Sequence, residues 1–252
     1  MKELLPAAIN AAKAAGQLIR ENFGTELNVN EMLKYDIKLE LDVRSQELIT
    51  GMILKEFPDH AILGEEGGNT GGDGPIEWII DPIDGTVNFF FSIPHFCVSI
   101  AARERSTQRI VMGVIYDPMQ DELWTVADDV PPTLNGKPIK CSDRTEMNQC
   151  VVTVGFSKSK ESLDAGFERY KNISYNVRKT RMLGSAALAM AYIACGRLDA
   201  YVEEQISIWD IAAGLMLVEA GGGKVDLKPG TAKAGTMFIC ASNGKIPIND
   251  YL

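Results

Sequence analysis

Histidine is almost missing from this chain of 252 residues, with only His60 and His95 present. A Ser-His-Asp hydrolase or a histidine-ligated zinc site would have to draw on that pair alone, so both chemistries fit poorly. Clustered positive charge is also lacking. The 25 Lys and Arg are outnumbered by 34 Asp and Glu, giving a net charge of −9, and no basic run occurs. A general nucleic-acid binder needs a basic face, so no direct nucleic-acid partner is expected. The longest apolar stretch, Phe89 to Ala102, contains Ser92, Pro94 and His95 and is too short to span a bilayer. Lys2, Glu3, Lys13 and Arg20 lie on a helical pattern rather than flanking a signal-peptide core. The five cysteines (Cys97, Cys141, Cys150, Cys195, Cys240) are odd in number and form no CxxC pair. Reduced, mostly buried thiols in a reducing compartment are the simple reading, and a cytoplasmic location without membrane contact is expected.

What is present is an apolar share of 46%, enough for a sizeable core without disulfides or structural metal. The length suits one large α/β domain or two smaller ones that share a core. From Leu4 to Phe23, apolar residues recur every three or four positions until Gly24, the pattern of an amphipathic helix. A polar, poorly periodic stretch runs to Glu40. Asp42 then reads as the N-cap of a second helix ending near Pro58. Ala61–Leu63 and Ile76–Ile80 read as buried strands, Val98–Val126 as three β segments, and Asn135-Gly136 as a tight turn. Beyond Asn148, strands at Cys150–Gly155 and Ala200–Glu203 alternate with apolar helices at Gly184–Cys195 and Ile208–Ala220. Two more β segments close the chain, near Val225 and at Met237–Ala241. This alternation predicts a layered α/β arrangement of two tightly packed halves.

The informative segment is Trp78-Ile79-Ile80-Asp81-Pro82-Ile83-Asp84-Gly85-Thr86. A buried strand delivers Asp81 and Asp84 at its end, and Pro82 stops it from simply continuing. Gly85 and Thr86 supply backbone N–H groups where a helix can begin, a place suited to phosphate. Carboxylates three apart around such a turn can hold hard cations, with the Ile83 carbonyl as a further oxygen. Glu65-Glu66 ends the preceding strand, and Asp210 opens an apolar helix. Singly, these are turn residues, solvated charge and a helix N-cap. Gathered together, like charges raise one another's pKa and destabilise the fold unless cations offset them. Oxygen-only donors favour Mg²⁺ over Zn²⁺.

Asp81-Pro82-Ile83-Asp84-Gly85-Thr86, Gly64-Glu65-Glu66 and Trp209-Asp210-Ile211-Ala212-Ala213-Gly214 resemble, in order, the signature motifs of the inositol monophosphatase family. The similarity covers essentially the whole chain, taking in the Lys34 loop, Asp42 and the closing Glu219-Ala220-Gly221-Gly222. The resemblance implies an α+β fold, a layered αβαβα sandwich. It also implies a homodimer and lithium-sensitive, Mg²⁺-dependent hydrolysis of a small phosphate monoester with two to three ions. Residues 1–147 would carry most metal ligands, and residues 148–252 the substrate contacts and one ligand. Glu65, Asp81 and the Ile83 carbonyl would hold one ion, and Asp81, Asp84 and Asp210 the second; Glu65 would help place a third. Asp42 and Thr86 match the pair that activates the attacking water, and the Gly85 and Thr86 amides would hold the phosphate. Asp84 and Glu203 match contacts to substrate hydroxyls. Gly184 and Ala186 either approach the substrate or serve close helix packing, and Glu204 reads as exposed charge.

Several positions depart from the family's pattern. Leu39 and Leu41 replace small polar residues in Lys38-Leu39-Glu40-Leu41-Asp42, which puts the shape of the loop over the metals in question. Lys34 is either a loop lysine near the third ion or a solvated one. The rings after Asn88, Phe89-Phe90-Phe91, are core or dimer contacts, and His95 is structural. Within the superfamily the match implies an inositol-1-phosphate or related sugar or polyol phosphate as substrate. Histidinol phosphate and fructose-1,6-bisphosphate are the alternatives, and a transcription-associated interaction role is an alternative of a different class.

Overall fold

The computed structural model describes residues 3–32, 37–156, 160–230 and 235–252. Its first half runs α1 (Leu4–Asn22), β1 (Val29–Met32), β2 (Ile37–Leu39), α2 (Glu40–Glu56), β3 (Ala61–Gly64), β4 (Gly68–Gly71), β5 (Ile76–Asp84) and α3 (Thr86–Phe90). There follow β6 (Cys97–Glu104), β7 (Ile110–Asp117), β8 (Glu122–Ala127), β9 (Val130–Leu134) and β10 (Lys137–Pro138). The second half adds β11 (Val151–Val154), α4 (Lys160–Asn176), β12 (Lys179–Arg181), α5 (Ala186–Ala194), β13 (Ala200–Ile206), α6 (Ile208–Ala220), β14 (Lys224–Pro229) and β15 (Met237–Ser242). Strands β3 to β10 form an eight-stranded sheet of order β10-β9-β8-β7-β6-β5-β3-β4, strands from Val151 a five-stranded sheet of order β12-β11-β13-β15-β14, and β1 with β2 a separate two-stranded sheet.

Side-chain alternation explains the layering. Successive strand residues point to opposite faces, and both faces of the large sheet are apolar. Trp78, Ile80, Val98 and Ile100 pack with Ala8, Ala12 and Ile19 of α1, while Ile79, Ala101 and Ile115 pack with α5 and α6. Helix α1 buries one stripe and leaves Lys13 and Gln17 exposed. Helix α5 buries eight of its nine residues, as an all-apolar helix must, because it lies between two sheets. Gly113 admits α6 directly against β7: a Cβ there would meet the Ala213 carbonyl oxygen at 2.8 Å. Val152, Val202 and Cys240, on the outer face of the small sheet, pack with Ile173 of α4. The layers are thus α1/α2, large sheet, α5/α6, small sheet and α4, an αβαβα stack.

Several local expectations need correction. The polar stretch before Glu40 contains an antiparallel pair, β1 with β2, too short for two-residue periodicity to show. The Gly-rich turn after Glu66 forms β4, an edge strand antiparallel to β3. Pro82 does not end β5. The strand continues to Asp84 through a register shift between Asp81 and Asp84, paired with Ser99 and Cys97 of β6, and a bulge is where a sheet tolerates proline. Helix α4 was not anticipated; its polar faces gave it no clear apolar stripe. The expected turn at Asn135-Gly136 has both residues at positive φ, 49° and 74°. The cysteines are free thiols, four of them buried. Among the described residues no helix is long and apolar enough to cross a membrane.

Candidate active site

Two helices begin beside the ends of the large sheet in the same way. In α2, Asp42 is the third helical residue, and its Oδ2 accepts from the Leu39 backbone N–H at 3.0 Å. In α6, Asp210 holds the same place, and its Oδ2 accepts from the Ser207 N–H at 3.0 Å. Neither is the N-cap residue expected of Asp42; each reaches back to cap the turn that precedes it. This fixes one carboxylate oxygen and aims the group. The other oxygen of Asp42, Oδ1, lies 3.3 Å from the Thr86 hydroxyl, which sits 2.9 Å from the Ile83 carbonyl.

The bulge at the end of β5 places the central acids. Asp81 is buried, and its Oδ1 accepts from the Ile83 N–H at 3.1 Å. Asp84 is tied to the start of α5. It accepts from Ser185 Oγ at 2.5 Å, the Ala187 N–H at 2.7 Å and the Ala186 N–H at 3.2 Å. Gly85 follows at φ 102°, and a Cβ there would press on the His95 carbonyl and Phe96 at 3.1 and 3.2 Å. Glu65 is positioned by its backbone, its N–H donating to the Ile80 carbonyl at 3.1 Å. The Gln46 side-chain amide closes the turn, accepting from the Glu66 N–H at 2.9 Å and donating to the Glu66 carbonyl.

Electrostatically the acids strain against one another. Burial first, then the charges of Asp210, Asp42 and Glu66, push the Glu65 carboxyl well above the usual range. Asp81 is pushed well up by burial and then by Glu65, Asp84 and Asp210. Asp210 is raised to about 8 by burial and the Asp84 charge. Asp84 is raised chiefly by burial, and its bonds to Ser185 and the α5 amides oppose the shift. Glu65 and Asp210 remain partly open to water on the cavity surface, yet both are surrounded by protein. Among the described residues no three His, Cys, Asp or Glu side chains are gathered closely enough to hold a metal ion as they stand; Asp84 is tied to the α5 amides and Asp210 to the Ser207 N–H. The donor set itself, oxygen-only and crowded enough to hold protons tightly, suits a hard divalent cation.

These residues line one cavity of about 800 Å³. Glu65, Asp81, Ile83, Asp84, Gly85, Thr86, Gly184, Ala186, Glu203 and Asp210 all reach it; Asp42 touches it only through Thr86. Glu203 accepts from the Tyr201 hydroxyl at 2.6 Å, and burial raises its carboxyl to about 7 against that bond. The two readings of Gly184 and Ala186 are both present: they line the cavity, and the helix start they form binds Asp84. Glu204 is not exposed charge. It is buried and paired with Arg169 at 2.6 Å, because alternation along β13 points it away from Glu203.

The sequence pattern described as the inositol monophosphatase family matches residues 1–245. The chain belongs to the inositol monophosphatase family. An inositol-1-monophosphatase of Synechocystis is 36% identical over 248 residues, covering 96% of this chain and 85% of the relative. A Nus factor SuhB of Pasteurella multocida is 37% identical over 229 residues, 89% of this chain and 85% of that protein. Among solved structures, the inositol monophosphatase of Anabaena superposes with a TM-score of 0.84 at 36% identity, covering 97% of this chain and 92% of that one. The suhB protein of Bartonella henselae gives 0.89 at 32% identity, covering 96% and 95%. The layered fold is the family's.

Within the family's frame the departures have physical readings. Leu39 and Leu41 are buried in the core shared with α1 and α2, so they anchor the hairpin and the start of α2. Lys34 lies outside the described residues. Phe89 is core, Phe90 packs against it, and Phe91 is 64% exposed. His95 is half-buried edge-on to Tyr192. Sequence reasoning missed Gln46, Ser185 and Tyr201, which hold the turn of Glu65, the carboxylate of Asp84 and that of Glu203. Nothing in their spacing marks them; only the fold brings each to its partner.

Proposed function

We propose that the protein is a Mg²⁺-dependent phosphate monoester hydrolase acting on inositol-1-phosphate or a related small polyol phosphate. The observation that carries this reading is the convergence of Glu65, Asp81, Asp84 and Asp210 on one cavity beside the Asp42–Thr86 contact. Glu65, Asp81 and the Ile83 carbonyl would hold one ion, and Asp81, Asp84 and Asp210 a second, with Glu65 also toward a third. Bound Mg²⁺ supplies charge neutralisation for the phosphoryl group, acidity for water and stabilisation of the leaving alkoxide. The chain supplies the base pair. Thr86 has a single hydroxyl proton, shared here between the Ile83 carbonyl and Asp42. With the Ile83 carbonyl engaged by a cation, the Thr86 hydroxyl would donate to Asp42 and leave its oxygen to accept from the attacking water. The Gly85 and Thr86 amides would hold the phosphate, and Glu203 would bind substrate hydroxyls.

Among the described residues no Lys or Arg lines the cavity, which supports a monophosphate over fructose-1,6-bisphosphate. The proposed assembly is a homodimer, which sedimentation of the purified protein would test. Phosphate release from inositol-1-phosphate, histidinol phosphate and fructose-1,6-bisphosphate, with Mg²⁺ and with chelator, tests the activity. Turnover indifferent to chelator would sink the metal mechanism, and a preference for either alternative ester would move the branch. Relatives named Nus factor SuhB support a second reading, a protein-interaction role. Asp84→Asn should abolish turnover and leave such binding intact in a pull-down.

A further inference from the structure

The cavity is more spacious than a phosphate and a bare polyol require, at the upper end of the range that encloses a drug-sized ligand. Much of its lining is apolar and belongs to the second half of the chain. Phe156 follows β11, Phe167 comes from α4, and Met182 and Leu183 precede α5. The Phe156 and Phe167 rings lie 5.2 Å apart and tilted by 41°, and Phe156 is braced by Tyr170 at 6.0 Å. Phe167 and Met182 are nevertheless 57% and 65% exposed. The fold therefore leaves a supported aromatic surface uncovered within the same cavity as the carboxylates.

We infer that this surface receives an aromatic ring on the alcohol portion of the substrate, with Phe167 setting specificity. The inference rests on the phosphatase reading and adds the substrate class: monophosphates of alcohols that carry an aromatic ring. A polyol offers only hydroxyls to these residues and leaves their apolar surface wet. A ring packs on Phe167 in the offset or edge geometry that aromatic pairs favour, and Met182 adapts its thioether to the ring's edge. The phosphate is held at the carboxylate end by the groups already named. No cationic side chain among the described lining residues awaits a second phosphate.

The test is kcat/KM with Mg²⁺ for 2-phenylethyl phosphate and for inositol-1-phosphate, both alkyl esters, in the natural protein, Phe167→Ala, Phe167→Leu and Phe167→Tyr. Losing the ring should lower the ratio of the phenylethyl to the inositol ester about tenfold, chiefly through KM, in both Phe167→Ala and Phe167→Leu. Phe167→Tyr should restore the ratio to within about twofold. An unchanged ratio in the ring-free variants, or turnover of the inositol ester alone by the natural protein, overturns the inference and leaves the phosphatase reading standing. Turnover of neither ester overturns both.

Discussion

Two parts of the cavity lining obey different physics. One, made by the end of β5, the turn after β3 and the start of α6, crowds acids whose ionised forms repel one another in a partly dry setting. Asp81, Asp84 and Asp210 each accept from backbone N–H groups, which keep the carboxylates crowded despite their repulsion. The other, made by Phe156, Phe167 and Met182, is apolar, loosely covered and free of charge. The contrast teaches where the fold tolerates strain. The proposed cations would offset the repulsion of the acids, whereas the apolar residues can change with little effect on stability and a direct effect on which ester fits.

The largest expected effect is at the acid cluster. Asp81→Asn should lower Mg²⁺-dependent turnover about a thousandfold or more, since it removes a charge shared by both proposed ions. The same change removes repulsion, and its Oδ1 can still accept from the Ile83 N–H. The metal-free protein at pH 8.5 should therefore melt about 2–4 °C higher. A variant that is both active and less stable would break the contrast between the two parts of the lining. Next is Thr86→Val, expected to cost about a hundredfold in kcat through loss of the Asp42-linked hydroxyl; a change confined to KM would remove Thr86 from the water-activating role.

Smaller effects sharpen the boundary between the two parts. At pH 8.5, above the raised value of about 7 for its carboxyl, Glu203→Gln should lower kcat/KM for a polyol ester about tenfold, since a charged acceptor becomes a neutral one. Equal loss on 2-phenylethyl phosphate would show that Glu203 does not read hydroxyls. The pH dependence of the metal-free chain is the mildest test. Asp210 is raised to about 8 and Glu203 to about 7, above the ordinary carboxylate value near 4. The folded chain thus holds more protons than the unfolded chain across that interval, so stability falls as pH rises through it. Calorimetry should give a lower melting temperature at pH 8.5 than at pH 6 without metal, and a smaller difference with saturating Mg²⁺. A melting temperature that rises with pH would mean that the acids are not strained.

Much of the fold was legible because its periodicities are long. The α1 stripe, the apolar strands β5 to β8, the all-apolar α5 and the largely apolar α6 announce themselves in spacing alone. What escaped is short or polar: β1, β4 and α4 owe their form to neighbours rather than to pattern. Pro82 misled for a related reason, since a local rule that ends strands yields where a bulge and the paired β6 carry the strand onward.

The candidate site divides along the same line. The sequence by itself determined the identity and order of the acids, and through Asp81-Pro82-Ile83-Asp84-Gly85-Thr86 the family, because ligand chemistry is written in residue type and local spacing. Only the tertiary structure decided that Gln46 closes the turn of Glu65 and that Ser185 and the α5 amides hold Asp84. It alone decided that Glu204 turns away to Arg169 and that Phe167 shares a cavity with Glu65, Asp81 and Asp84 from the other half of the chain. Contacts between residues far apart in the chain depend on packing, which no local pattern records.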